Sequence, residues 1–225
     1  MKRMTWTLLL LLFGICSFVR AQMGMDLFER PTFTKIFHPM VGQGGEYEMV
    51  SKRGQGEKTS KMEMGIVSKD SVDGKDAYWM QMVLQMESGQ TMVSKMLMST
   101  GDFQPSRVIM QMPGRPAMEI PANMAGSKRD KVASAAQDWH SVGTESITVP
   151  AGTFSCEHWK NDTTGGEVWT SDKVTPFGLV KEAGNDHTMV LLKVLSDYSD
   201  RITGPVQKFD PQMMMQQMQR QQPQQ

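Results

Sequence analysis

From Glu46 onward, apolar and polar residues alternate along the chain. A period of two marks a strand with one buried face, because successive side chains point to opposite sides. The alternation predicts strands over 46–53, 58–68, 77–87, 91–99 and 107–112. Turn formers separate them: Gly54 and Gly56, Asp73-Gly74, Ser88-Gly89, and Gly101-Asp102. Asp-Gly between alternating runs is a strong hairpin signal, since both residues tolerate positive φ. Links this short imply an antiparallel meander. The alternation then breaks. Residues 113–121 carry Pro113, Pro116 and Pro121 and read as a loop, and 127–137 reads as a helix with Ser127 at its cap. Strands resume over 143–149, 153–160, 166–171, 178–182 and 187–198, with glycine-containing turns between them. The run 188–195 is apolar on both faces, which places it deep in the sheet or under a helix. Upstream, 26–30 and 34–38 read as single helical turns, each halted by a proline. The total is about ten strands, near the size at which a sheet curls.

Methionine is the residue that gives this pattern its character, with 23 in 225 residues. Ten fall in four consecutive predicted strands: Met62 and Met64; Met80, Met82 and Met86; Met92, Met96 and Met98; Met110 and Met112. Within each strand they lie two or four apart, so they share a face. The other face carries Lys61, Glu63, Gln81, Gln85, Glu87, Lys95, Arg107 and Gln111. Register must keep the faces in agreement across strands, because a one-residue slip would drive charges inward. One continuous methionine face results, joined by Tyr47, Met49, Ile66, Tyr78 and Leu84. Three uses fit it. It is a core filled by a flexible apolar side chain, or an adaptable groove, or a soft-metal site built from M-x-M pairs for Cu(I) or Ag(I). Methionine is a weaker strand former than Val or Ile, which favours a role beyond filling.

The first 21 residues read as an export signal: Lys2 and Arg3, the apolar run 8–17, and small residues around Val19 and Ala21. Ile15 before Cys16 argues against a lipid-attachment cysteine. No stretch has the length of a spanning helix. Without the signal, one cysteine remains, Cys156, so no internal disulfide is expected. Lysine plus arginine equals aspartate plus glutamate, 24 each, in the whole chain. Loss of Lys2, Arg3 and Arg20 leaves the exported chain slightly acidic, which disfavours nucleic acid as a partner. The domain is expected over 44–205, after an N-terminal segment at 22–43. Residues 206–225 read as a disordered tail, because the Gln- and Met-rich stretch from 212 onward has no apolar period.

Catalytic chemistry is sparse. The four histidines, His38, His140, His158 and His187, form no spaced metal pair. His140 reads as the end of the 127–137 helix. Cys156 and His158 would share a strand face with Phe154, which makes a Cys–His dyad conceivable, but no orienting acid or oxyanion motif accompanies them. No phosphate-cradling glycine loop and no nucleophile elbow is present. The chain is expected to be neither an enzyme nor a cofactor protein.

The run ITVPAGTFSC at 147–156, followed by Glu167-Val168-Trp169 and VTPFGLV at 174–180, has a familiar cadence. It resembles a group of uncharacterised, often Met-rich bacterial periplasmic domains. Their architecture is similar to that of the LolA/LolB-like lipoprotein-carrier superfamily. The resemblance covers about 44–198. It implies a mainly β fold, a curved antiparallel half-barrel with one or two helices against its concave side. In the carriers, that side holds acyl chains. Their motifs are not matched here, so no binding residue carries over singly. The expected ligand-binding surface is therefore the methionine face itself: Met62, Met64, Tyr78, Met80, Met82, Leu84, Met86, Met96, Met98, Met110 and Met112. The expected ligand is a lipid or acyl chain, with Cu(I) binding or a structural role in the cell envelope as alternatives.

Overall fold

The computed structural model describes residues 37–52, 56–86, 88–100, 105–121 and 139–209. Twelve strands occur among them: β1 (Gly44–Ser51), β2 (Lys58–Val72), β3 (Lys75–Gln85), β4 (Thr91–Ser99), β5 (Pro105–Gln111), β6 (Met118–Ile120), β7 (Trp139–Val149), β8 (Gly152–Asn161), β9 (Glu167–Thr170), β10 (Leu179–Ala183), β11 (His187–Leu195) and β12 (Gln207–Lys208). They form one open sheet in the order β12-β6-β5-β4-β3-β2-β1-β11-β10-β9-β8-β7. Every pair is antiparallel except β12 on β6. Two meanders, β1 to β6 and β7 to β11, thus meet where β1 pairs with β11. The expected Asp-Gly hairpin joins β2 to β3, with Asp73 at φ 51° and Gly74 at φ 74°.

The second meander curls. The turn between β7 and β8 reaches back to β11, where the Ala151 amide donates to the Leu191 carbonyl (3.4 Å). Val149, Phe154, Cys156 and Trp159 are thereby buried in the same core as the methionines of the first meander. After β11 the chain crosses the opposite face of β2 to β5 as a strap. Tyr198 lies over Gly65, whose missing side chain makes the room: a Cβ there would sit 2.4 Å from the Tyr198 ring. Asp200 meets Lys95, Arg201 meets Glu63 and Thr203 meets Gln111. Ile202 packs on a second, smaller core of Ala77, Trp79, Leu97, Ile109 and Ala117.

Several expectations change. The expected loop at 113–121 contains β6, whose three residues fit between Pro116 and Pro121 and so lose no ladder donor to proline. Gln207 and Lys208, assigned by composition to the tail, pair with β6. The predicted 187–198 strand ends at Leu195, and 188–195 is buried on one face only, with Val194 39% exposed. No helix occurs among the described residues, and thus none there is long and apolar enough to cross a membrane. Phe37 and His38, in the second expected helical turn, have no regular structure. His140 lies in β7 rather than at a helix end. The signal segment 1–21, the turn at 26–30, the helix at 127–137 and the tail from 210 lie outside the described residues. The face expected to be polar is not simply solvated, because the strap and the second core cover part of it.

Candidate functional site

Strand register builds the methionine face. Met64 stands opposite Met82, and Met80 opposite Met96. Leu84 lies between Met62 on β2 and Met92 on β4. Met62, Met64, Met80, Met82, Leu84, Met92, Met96 and Met98 are all buried in one cluster, with Met189 of β11. Tyr78, Met110 and Met112 are partly buried at its margin. Met86 is the predicted residue that does not join. It follows the end of β3, and its amide donates to Gln90 in the β3–β4 turn. Alternation located the face, but an alternating pattern has no mark for the residue at which a strand stops.

A cap closes part of this face. The connection between β9 and β10 places Val174 and Phe177 in the methionine cluster. The Phe37 ring lies 5.1 Å from that of Phe177 and 6.4 Å, edge-on, from that of Tyr78. The His38 amide donates to the Pro176 carbonyl (3.1 Å), tying the 37–40 segment to the connection. Tyr47 beneath is fully buried and donates to the Leu179 carbonyl (3.2 Å). Burial pushes its phenol far above the usual range. Phe37 and Phe177 were not legible as site residues, since both come from segments outside the alternation.

One polar residue interrupts the wall. Ser94 occupies a methionine-face position of β4, between Met92 and Met96 along the strand. Its cross-strand partners are Met82 and Met110. It is 2% exposed, and its hydroxyl has no hydrogen-bond partner among the described residues. Ser171 and Thr175 of the β9–β10 connection also have buried hydroxyls without a partner among the described residues. A polar residue in phase with the methionines was the signal in the sequence that would have singled out Ser94.

The Cys–His dyad does not assemble. The His158 Nδ1 lies 2.9 Å from Glu145 and its Nε2 lies 3.1 Å from Glu167, while the ring stacks on Trp169. The Cys156 thiol is fully buried and makes its contact with the Phe154 carbonyl. Burial, aided by the Glu145 charge, pushes its pKa up to about 11, so the nucleophilic thiolate is disfavoured. Elsewhere the carboxylate of Glu182 is buried against His187 Nε2 (2.8 Å), with Asp186 on Nδ1 (3.1 Å). The hydrogen bond to Glu182 raises the His187 pKa above the ordinary imidazole value. Among the described residues no cluster of three or more His, Cys, Asp or Glu side chains is arranged to hold a metal.

On the opposite face a cavity of about 510 Å³ opens beside the strap, lined in part by Glu63, Val93, Gln111, Arg115 and Arg201. Of the predicted wall only Met112 reaches it.

No family model and no curated protein matches the chain. Solved structures resemble it distantly. An inferred lipoprotein from Parabacteroides distasonis is 17% identical, with 71% of this chain and 97% of that one covered and a TM-score of 0.39. An inferred exported protein with a YmcC-like fold from Bacteroides fragilis is 14% identical over 70% of this chain and 98% of that one, with a TM-score of 0.36. MucB in complex with MucA(peri) is 11% identical over 79% of this chain, with a TM-score of 0.42. This chain spans 57% of that MucB chain. Likenesses of this degree carry no argument about function.

Proposed function

We propose that the protein is an exported, non-catalytic binding protein whose methionine wall takes an acyl chain. The observation that carries this reading is the wall itself. Among the described residues, eight of the 23 buried residues in the main core are methionines: seven on the adjacent strands β2, β3 and β4, and Met189 on β11. A rigid core is better filled by Leu, Ile and Val, whose rotamers are well defined. Unbranched thioethers instead repack at little cost, which suits a surface that must open around a guest. The cap at Phe37, Tyr78 and Phe177 provides a place where opening begins. Each methylene moved from water onto such a wall contributes about 0.8 kcal/mol. The curl of the second meander and the resemblance to LolA/LolB-like carriers support the same reading.

A second reading is a structural module of the envelope with a packed core. The burial of the wall favours it, as does the position of the described cavity on the other face. Native mass spectrometry of protein purified from its own host separates the two. Acyl binding predicts a co-purifying lipid, and uptake of a fluorescent fatty-acyl probe after delipidation. A delipidated, folded protein that takes up no acyl probe refutes the carrier reading. Cu(I) added in the same experiment tests the thioether–metal alternative.

A further inference from the structure

We propose that the Ser94 hydroxyl donates a hydrogen bond to the carbonyl of a bound acyl ester or amide. The proposal rests on the acyl-chain reading above and names the chemical group that the wall recognises. Ser94 sits where alternation calls for an apolar side chain, and its four nearest positions on the face are Met82, Met92, Met96 and Met110. Thioether sulfur is only a weak acceptor. Among the described residues no atom accepts from the hydroxyl, and the residue is 2% exposed. A buried hydroxyl left without a partner costs stability, and Val in its place would remove that cost and suit a strand better. A ligand that brings an acceptor to this point restores the missing bond.

The surroundings choose the acceptor. The four positions that flank Ser94 on this face are all methionines, so none of them brings a positive charge to the hydroxyl. A free carboxylate there would be a buried charge without a counter-ion. A neutral carbonyl flanked by alkyl chain matches one O–H donor in a thioether wall. The ester of a glycerolipid and the amide of an N-acylated polypeptide both supply it.

The test is displacement of a fluorescent fatty-acyl probe from the delipidated full chain and from its Ser94→Ala variant. The competitors are methyl palmitate, N-methyl palmitamide and heptadecane. The expected result is that Ser94→Ala weakens the ester, the amide or both about two- to tenfold, the range of one neutral hydrogen bond, and leaves heptadecane unchanged. The larger loss identifies ester or amide as the natural group. The variant melts at or above the wild-type temperature, because an unsatisfied hydroxyl is gone. Equal ester and amide affinities in the two proteins overturn the role of Ser94 while leaving acyl binding intact. A parallel loss for heptadecane overturns it too, as general damage to the wall. A wild-type protein that binds none of the three refutes the acyl reading itself.

Discussion

Gln81 is the strongest test of how the strap is held. The side chain is fully buried on the face opposite the methionines. Its Nε2 donates to the Tyr198 hydroxyl (3.3 Å) and the Ser199 carbonyl (3.1 Å), and its Oε1 accepts from the Arg201 amide (2.9 Å). Gln81→Met keeps the volume and removes all three bonds. Each is worth about 1 kcal/mol net, so the variant should lose about 3 kcal/mol. For a chain of this size that corresponds to a melting temperature lower by about 6–12 °C. Urea denaturation measures the global loss. Amide hydrogen exchange locates it, because the Arg201 N–H should lose protection before the β2–β3–β4 ladder does. A variant within about 0.5 kcal/mol of wild type, with Arg201 still protected, would mean that Tyr198 and Ile202 hold the strap by packing alone.

Further outcomes follow from other contacts. His187 is held above its ordinary pKa by Glu182 and Asp186, so its contribution is complete below about pH 6.5 and is lost as pH rises through the raised value. The stability difference between wild type and His187→Gln should therefore be larger at about pH 5.5 than at about pH 8.5, and a pH-independent difference would refute the linkage. Gly65→Ala places a Cβ 2.4 Å from the Tyr198 ring and 2.7 Å from the Gln43 carbonyl oxygen. It should cost about 1–3 kcal/mol in chemical denaturation. Dilute peroxide followed by peptide mapping should oxidise Met40 and Met118, 48% and 37% exposed, well before the buried Met64, Met80 and Met98. If Met80 keeps pace with Met40, the wall opens in the free protein. Cys156 should react with a thiol reagent only slowly until denaturant is added.

Much of the sheet was legible because its cause is local. Strand alternation and the Asp73-Gly74 turn are written in neighbouring residues, and β2 to β5 with their shared methionine face follow from them. What escaped prediction depends on distant parts of the chain. Gln81 reads as a solvated polar residue, yet the strap buries it, and nothing near position 81 announces Tyr198. The strand β6 is only three residues long and is bounded by prolines, so its existence depends on β5 and β12 beside it. The apolar run 188–195 suggested burial on both faces. Only Met189 and Leu191 of that strand are buried, and Lys193 and Val194 remain exposed despite its central position. The same limit applies to the site. The wall is a pattern, whereas the Phe37–Phe177 cap is a meeting of two segments without one.

The junction of the two meanders has a consequence for how the chain acquires its structure. Gly44 at the start of β1 pairs with Leu195 at the end of β11. Hairpins can zip β1 to β5 as soon as those residues are free, but the far edge of β1 must wait for the last long strand. Closing so large a loop is slow, and an unpaired strand edge beside an apolar face is a template for other chains. A molecule emerging N-terminus first therefore passes through a half-sheet whose long β1 border, like the short one of β6, is still unpaired. Ribosome- or translocon-stalled fragments ending before residue 187 should associate through β1, and a helper that shields the β1 border should raise the yield of folded protein.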